Sequence, residues 1–468
     1  MAHIDAAKKE LFETAPLPKA IASLAVPTII SQLVTMAYNL ADAWFIGRTG
    51  NPLMIAAISM AFPVFMMTTG IANTFGLGGG SLLARLMGKG DLERAGRACA
   101  FSFYGALLAS ASYALAVFLA EGTLLGLLGA SEGTKPFVSS YLFYVVTLGA
   151  VPTVLSMALA HLVRSAGYSR EASFGLSMGA LLNIFFDPIF MFVLLPSGME
   201  VIGAAVATML SNIIATLYFV RQVFRLSGNS VLTLSPKRAN LDTEGIKTVI
   251  MVGLPSGLMI FLLDFANAVQ NAAMAAYGDF QMAALGIAMK AERLPISIGL
   301  GLCQGSMPLV SYNFSSGNLT RMKRAINMSR LCGICVSLLS VALYQMFAGG
   351  IIRLFFDASK GDAQAAMQTI AYGTMFLRVR SCGSIFTFLS FHVTYMLQAL
   401  GFAKSALMVS VTRLAVFYIG MVFLLDWLFG MQGVIFSQLA GETLNLMLVA
   451  FPLFFWCIRQ TAKGDRLK

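Results

Sequence analysis

The chain has 468 residues, of which 58% are hydrophobic and only 11% are charged, and its mean hydropathy is +0.78. Soluble domains carry about 25% charged residues. Because so few polar side chains cannot cover an aqueous surface, this composition excludes a soluble globular protein and predicts an integral membrane protein.

Apolar stretches recur along the whole chain. A helix needs about 20 apolar residues to cross a bilayer. Twelve stretches are long enough, so the sequence predicts an all-α integral membrane protein with twelve transmembrane helices. Their ranges are 21–46, 53–77, 95–119, 137–160, 172–195, 201–220, 248–276, 282–310, 326–348, 366–396, 405–428 and 433–458.

Basic residues predict the orientation of these helices. If the N-terminus lies inside and the helices alternate, the cytoplasmic segments hold 23 Lys and Arg residues and the outer segments hold four. Cytoplasmic loops of membrane proteins carry such an excess. We therefore expect a multi-pass protein of the cytoplasmic (inner) membrane with both termini in the cytoplasm. The net charge of +11 then reflects topology, and nucleic-acid binding is not expected.

The two halves of the chain are related. The segment GDLERAGRA (90–98) matches GNLTRMKRA (317–325), and SAGYSREA (165–172) matches ALGFAKSA (399–406) at a similar offset. Each half holds six predicted helices, which indicates a parallel repeat of the kind found in transporters; a duplicated static channel or scaffold is the alternative. The predicted organisation is a cytoplasmic segment 1–20, an N-lobe 21–224, a linker 225–246, a C-lobe 247–458 and a tail 459–468.

One carboxylate lies inside an apolar run, LLNIFFDPIFMFVLL, as Asp187. A charged side chain at the bilayer centre costs about 2.5–3.5 kcal/mol on insertion scales, and such residues commonly mark ion or substrate pathways. Asn183 lies four residues earlier, on the same helix face. Pro188 cannot donate a backbone hydrogen bond, so the carbonyl of Ile184 is freed. These oxygens suit a hard cation or a shared proton.

Three further polar residues lie in predicted spans of the first half. Asp42 near the outer end of the first span is a candidate partner of Asp187, although an ion pair with Arg48 is the alternative. Thr208 in the sixth span is either a ligand or a helix-packing residue. Asn39 occupies the position that matches Asn267 in the repeat.

The second half contains two candidate acids. Asp264 in IFLLDFANAV has no basic neighbour in its own span, as is the case for Asp187. Glu292 stands beside Lys290 and Arg293, so a local ion-pair network is the alternative to a functional role. The glycine-rich segment GLGGGS (76–81) lacks the lysine of a phosphate-binding loop, so ATP is not the expected energy source; close packing or a helix end explains these glycines.

Several motifs together resemble the prokaryotic members of the multidrug and toxic compound extrusion (MATE) family. The resemblance covers roughly residues 15–460, and its motifs are AVPTIISQLVTMAYNLADAWFIG, GKGDLERAG, VRSAGYSREA, NIFFDPIF, GMEVIGAAVATMLSN, GLPSGLMIF and QALGFAKSALMVS. It implies two pseudo-symmetric six-helix bundles. A cleft between them is the expected basis of alternating access.

The resemblance also implies site residues. A cation-coupling site, with Na⁺ as one candidate ion, would comprise Asp42, Asn183, Asp187 and Thr208. Asp264 and Glu292 are the candidate acids of the C-lobe, although the tenth predicted helix lacks the acid that some members carry there. Candidate substrate-binding residues are Asn39, Asp42, Asp187 and Asp264.

The implied activity is export of drugs or toxic organic cations in exchange for H⁺ or Na⁺. We expect no enzymatic activity, no cofactor beyond the coupling ion, contact with membrane lipids, and function as a monomer. A flippase for lipid-linked precursors is the alternative, and it rests on three basic residues in spans, Arg378, Arg380 and Arg413. A non-transporting receptor or scaffold is a further alternative.

Overall fold

The structure is a computed structural model that describes residues 5–354 and 363–462. Parts of the predicted N-terminal segment (1–4) and tail (463–468), and Lys360 of the orientation count, lie outside these residues. Within them the chain is helical apart from short connections and turns. The all-α prediction is confirmed.

Seventeen α-helices follow one another in the described residues. They are α1 Ala6–Glu13, α2 Leu17–Gly47, α3 Pro52–Lys89, α4 Leu92–Leu119, α5 Glu121–Leu127, α6 Lys135–Leu142, α7 Ala150–Ser165, α8 Ser169–Ile189, α9 Glu200–Leu226, α10 Thr243–Ala275, α11 Asp279–Ser315, α12 Leu319–Leu354, α13 Ala363–Ala399, α14 Ala403–Val411, α15 Ile419–Phe429, α16 Met431–Asn445 and α17 Phe451–Ala462.

The long helices correspond to the twelve predicted stretches. Ten helical segments of the described chain are long and apolar enough to cross a membrane, and the bent pair Lys135–Leu148 and Ala150–Ser165 forms an eleventh. The 37-residue helix α13 is the twelfth; it carries two arginines, Arg378 and Arg380, which lower its hydropathy. Large apolar side chains such as Leu127 and Trp427, each 81% exposed, lie on the surface, as expected for contact with lipid.

The helix that contains the second predicted stretch extends beyond the predicted end at residue 77. Helix α3 continues to Lys89 and ends at Gly90, whose positive φ of 78° is readily adopted by glycine. The glycine-rich segment is therefore interior to the helix. A β carbon on Gly78 would lie 2.0 Å from the Val249 carbonyl oxygen, and one on Gly79 would lie 1.9 Å from Ser102 Oγ. These glycines allow α10 and α4 to approach α3 closely, as small residues do in membrane helices.

Four short π-helical segments each extend a preceding α-helix within a span. They are Phe143–Leu148, Phe190–Leu194, Thr412–Tyr418 and Leu446–Ala450. The first bends its span by 48°. The second begins two residues after Pro188, which removes one backbone hydrogen bond from α8. Such segments are frequent at functional sites, and here one follows Asp187 and another contains Arg413.

The chain divides into two compact units. The first unit comprises Met1–Gly257 and Gly305–Met322, and the second comprises Leu258–Gln304 and Lys323–Lys468. Each has its own apolar core. The core of the first includes Ala57, Ala61, Val138, Val146, Ala150 and Ala205; that of the second includes Met274, Leu285, Ala288, Phe376 and Val434.

The segment that precedes α10 is attached to α4 in the first unit. Asp242 accepts hydrogen bonds from Arg94 Nε at 3.0 Å and Nη2 at 2.7 Å, and from the backbone N–H of Gly245 at 3.2 Å. The Arg94 guanidinium lowers the pKa of the Asp242 carboxyl. The Tyr104 hydroxyl donates to the Leu234 carbonyl at 2.9 Å. These bonds fix the start of α10.

Candidate functional site

A buried polar cluster surrounds Asp187 in the first unit. Asp187 is fully buried and Asn183 is 2% exposed, both on α8, while Thr208 of α9 is 6% exposed. When the Asn183 amide nitrogen faces Asp187, it donates to Oδ2 at 3.0 Å. The amide oxygen then accepts from the Thr208 hydroxyl at 3.0 Å and its backbone N–H at 3.1 Å. The structure thus brings three of the predicted residues together.

The fourth predicted residue, Asp42, approaches this cluster from α2. Helices α2 and α8 pack along each other, and Asp42 and Asp187 are close enough for their charges to interact. Two tyrosines join them: Tyr38 interacts with Thr208 and with both acids, and Tyr141 also lies within range of both acids. The sequence reasoning missed these tyrosines. The position of Tyr38, one helical turn before Asp42, was the signal that could have identified it.

The alternative ion pair of Asp42 with Arg48 is not formed. The Arg48 guanidinium instead lies over the Trp44 ring, 5.1 Å from its centroid. Asn39 is exposed on α2, and within the described chain it makes no hydrogen bond to the cluster.

No basic side chain within the described ranges forms an ion pair with Asp42 or Asp187. Two neighbouring carboxylates without a cation repel each other, and in a membrane span this repulsion is weakly screened. A proton or a small cation would relieve it. The carboxylate, amide and hydroxyl oxygens of the cluster are the ligand types that hard cations take.

The two buried acids in the described part of the second unit are neutralised by arginines. Glu292 of α11 is 1% exposed, and its Oε2 accepts from Arg380 Nη2 at 2.7 Å and Nε at 2.9 Å. Its Oε1 accepts from the Gln438 amide at 2.9 Å. The alternative, a network with adjacent Lys290 and Arg293, is not formed, because the ionic partner comes from α13. Arg380 also donates to Gln270 Oε1 at 2.7 Å, which in turn accepts from the Tyr418 hydroxyl at 2.8 Å.

A second buried ion pair lies next to this network. Arg413 of the third π segment donates from Nε and Nη2 to Glu442 of α16 at 2.9 Å and 2.6 Å, and its guanidinium lies 4.2 Å from the centroid of the Phe391 ring. Both ionic side chains are almost fully buried. Sequence reasoning identified Arg413 but did not find Glu442, since the two residues belong to different helices.

Asp264 has no basic neighbour in its own span, but a basic residue of α11 lies beside it. Its Oδ1 lies 3.7 Å from Arg293 Nη2, and the two side chains are 26% and 53% exposed. Helix α13 contains the tenth predicted span. It has no acid, and its charged residues are Arg378 and Arg380.

Long apolar helices with buried acids that have no ion-pair partner among the described residues are the organisation of a membrane transporter. The sequence model of the MatE family matches residues 27–189 and 255–424. The chain therefore belongs to the MatE family, the multidrug and toxic compound extrusion transporters, as the sequence motifs indicated.

Relatives and solved structures agree with this membership. The chain is 31% identical over 447 residues to the multidrug export protein MepA of Staphylococcus saprophyticus, covering 94% of this chain and 95% of the relative. It is 30% identical to MepA of Staphylococcus aureus strain MRSA252, with 97% of each chain covered.

Among solved structures, a MATE protein in complex with MaL6 superimposes with a TM-score of 0.90 at 24% identity, covering 97% of this chain and 99% of that one. An outward-facing multidrug resistance MATE transporter of the MOP superfamily gives 0.89 at 24% identity, covering 98% and 99%. These likenesses confirm the twelve-helix fold.

Proposed function

We propose that this protein exports organic cations and drugs from the cell by antiport against H⁺ or Na⁺. The observation that carries the proposal is the fully buried Asp187, which has Asn183 as its hydrogen-bond donor, Asp42 within charge range and no ion-pair partner in the described chain. A carboxylate at such a position has a high cost that a bound cation offsets. The multidrug export activity in the names of its relatives supports the same function.

The chemistry of the cluster suggests how exchange would work. Ion loading would neutralise the repulsion between Asp42 and Asp187, and the local packing of α2 against α8 would change. Loss of the ion restores negative charge, which attracts an organic cation. Asn183 would have a further role. If its amide rotated, the amide oxygen would replace the N–H donor on the side facing Asp187, and this oxygen could then bind Na⁺.

Coupling is assigned to the first unit because, in the described part of the second unit, no acid is buried without an ion-pair partner. Glu292 and Glu442 are held by Arg380 and Arg413 with short bonds, and removal of one partner of such a pair leaves an uncompensated buried charge. These pairs also weaken the flippase alternative, since both arginines are already neutralised and are not available to a pyrophosphate.

The remaining parts of the proposal concern organisation. The protein would lie in the cytoplasmic membrane with both termini inside, and act as a monomer with lobes at 21–224 and 247–458 joined by the linker 225–246. H⁺ or Na⁺ would be the only accessory species. The positive-inside distribution of basic residues supports this orientation.

The test is efflux of rhodamine 123, a fluorescent organic cation, from vesicles containing the purified full-length protein. A pH gradient and a sodium gradient are imposed separately on wild type and Asp187→Asn. Export under one gradient and its loss in the variant are expected, and the gradient that works identifies the ion.

Asp91→Asn serves as the matched control, because Asp91 is an exposed acid that caps α4. Efflux by folded Asp187→Asn at the wild-type rate would overturn the coupling role. Absence of export by folded wild type under either gradient would overturn the antiport itself.

A further inference from the structure

Two exposed basic side chains of the second unit lie near the middle of a predicted membrane span. Lys290 and Arg293 are three residues apart on one face of α11, and both are exposed. Arg293 is 14 residues from the start of α11, about 21 Å at 1.5 Å per residue. Asp264 lies 11 residues before the end of α10, about 17 Å by the same rise. These depths are well inside a hydrocarbon layer of about 30 Å.

Charged side chains at this depth almost always face a water-filled cavity or the bundle interior and not lipid. The only acid that pairs with this basic face in the described chain is Asp264, through one contact of 3.7 Å. A guanidinium has five N–H donors, so most of those of Arg293 remain available. The three side chains carry a net charge of +1.

The nearby acid Glu292 cannot neutralise this face. Both of its carboxylate oxygens are occupied, one by Arg380 and the other by Gln438. Its side chain is buried on a different side of α11 from Lys290, which is two residues away and thus about 200° around the helix. The buried ion pair therefore leaves the exposed face of α11 electropositive.

Exposed apolar side chains border the charged groups. Phe261 and Phe265 flank Asp264 on α10 and are 42% and 53% exposed, and Leu294 next to Arg293 is 42% exposed. Basic groups can bind a carboxylate, and nearby aromatic rings can pack against an apolar ring system. Together they suit an amphiphilic aromatic ligand.

We infer that Lys290 and Arg293 form a binding site for the carboxylate of zwitterionic aromatic substrates. When no such substrate is bound, Asp264 pairs with Arg293. This inference rests on the proposed export function and adds to it two residues that distinguish substrates with a carboxylate from purely cationic ones. Purely cationic substrates would bind without these two residues, because their charge is complementary to Asp42 and Asp187.

The test compares rhodamine 110, which carries a free carboxylate and is zwitterionic at neutral pH, with its methyl ester rhodamine 123, which is a cation. Binding is measured by fluorescence anisotropy and export in phosphatidylcholine vesicles. For the double variant Lys290→Gln/Arg293→Gln we expect rhodamine 110 to bind about tenfold more weakly, with rhodamine 123 binding unchanged or tighter. Asp264→Asn should show the opposite preference, because Arg293 is released.

Arg378→Gln is the matched control. Arg378 is also an exposed arginine within a span, but it lies on a different helix, α13, two residues before the buried Arg380. Equal losses for both dyes in the folded double variant, or no loss for either, would overturn the inference. Wild type that exports rhodamine 123 but does not bind rhodamine 110 would overturn it while leaving the proposed export intact.

A lipid headgroup is the competing source of an anionic group. The binding assay is therefore repeated with added phosphatidylglycerol. If this lipid displaces rhodamine 110 from wild type at trace fractions, and the double variant no longer retains it, the occupant is a lipid and the substrate assignment is overturned.

Discussion

Asn183 donates a hydrogen bond of 3.0 Å from its amide nitrogen to Asp187 one helical turn later, while its amide oxygen is held by Thr208. The amide therefore links the buried acid of α8 to α9. Because Asp187 is 0% exposed, this bond replaces part of the hydration that the carboxylate loses on burial. In the proposed mechanism, Asn183 is therefore positioned to control ion binding at Asp187.

Replacement of Asn183 should weaken ion coupling. Asn183→Ala removes one oxygen ligand from the candidate cation site, and we expect the affinity for Na⁺ to fall about 10- to 100-fold, as for partners of metal ligands. The measurement is the ion concentration that gives half-maximal efflux of rhodamine 123. Asn229→Ala in the linker is the control. An unchanged ion dependence in folded Asn183→Ala would show that the amide only packs helices.

The approach of α3 to α10 should depend on Gly78. A methyl group at this position would lie 2.0 Å from a backbone carbonyl oxygen, that of Val249, and a backbone cannot yield as a side chain can. We expect Gly78→Ala to destabilise the protein by about 1–3 kcal/mol, measured as a lower thermal unfolding midpoint in detergent. Gly122→Ala, with no atom within 4 Å of the added carbon, should leave the midpoint almost unchanged. Equal midpoints for the two variants would contradict the close packing.

The Glu292–Arg380 pair should show strong coupling in stability. Each single replacement by Met leaves one buried charge alone, which costs about 3–5 kcal/mol, whereas replacement of both is often neutral or stabilising. A double-mutant cycle of thermal midpoints, or of free energies of unfolding in detergent, measures this difference. Additive effects of the two single replacements would show that the residues do not form an ion pair in the membrane.

The bond between Arg94 and Asp242 should make the start of α10 sensitive to acid. Arg94 lowers the pKa of Asp242 in the folded state. The contribution of this pair to folding stability is therefore fully present above the ordinary pKa of an Asp side chain, and it is lost as the pH falls through the lowered pKa of the folded state. The pair is exposed, so this contribution is only about 0–1 kcal/mol.

Amide hydrogen exchange of the first turn of α10 is the measurement. After correction for intrinsic exchange rates, protection of this turn in the wild type should decrease as the pH is lowered. Asp242→Asn should already be less protected at neutral pH and should lack this pH-dependent transition. Glu244→Gln, whose acid is 88% exposed, should behave as wild type. A transition that persists in Asp242→Asn would assign it to another group.

Much of the fold was determined by the sequence. Apolar runs of 20 or more residues placed all twelve long helices because each helix satisfies its own backbone hydrogen bonds in lipid. The exact ends were less predictable. Helix α3 extends through the segment 76–81 since its glycines are packed against neighbouring helices, and no property of the local sequence distinguishes that packing from a helix end.

The candidate cation site was partly predictable for the same reason. Asn183 and Asp187 share one helix, so their spacing alone places them on one face, and a carboxylate in an apolar run is conspicuous. Tyr38 of α2 and Tyr141 of α6 were missed because neither lies on the helix of Asp187, and aromatic residues are common in most spans of this chain.

The sequence by itself determined that this chain spans a membrane, which ends of its helices are basic, and that it keeps acids where they are costly. Only the tertiary structure decided which of those acids are neutralised. Arg380 lies 88 positions from Glu292 and Arg413 lies 29 from Glu442, so packing of separate helices brings each pair together. Electrostatic energy depends on distance in space and on burial, and neither quantity can be read from the order of residues.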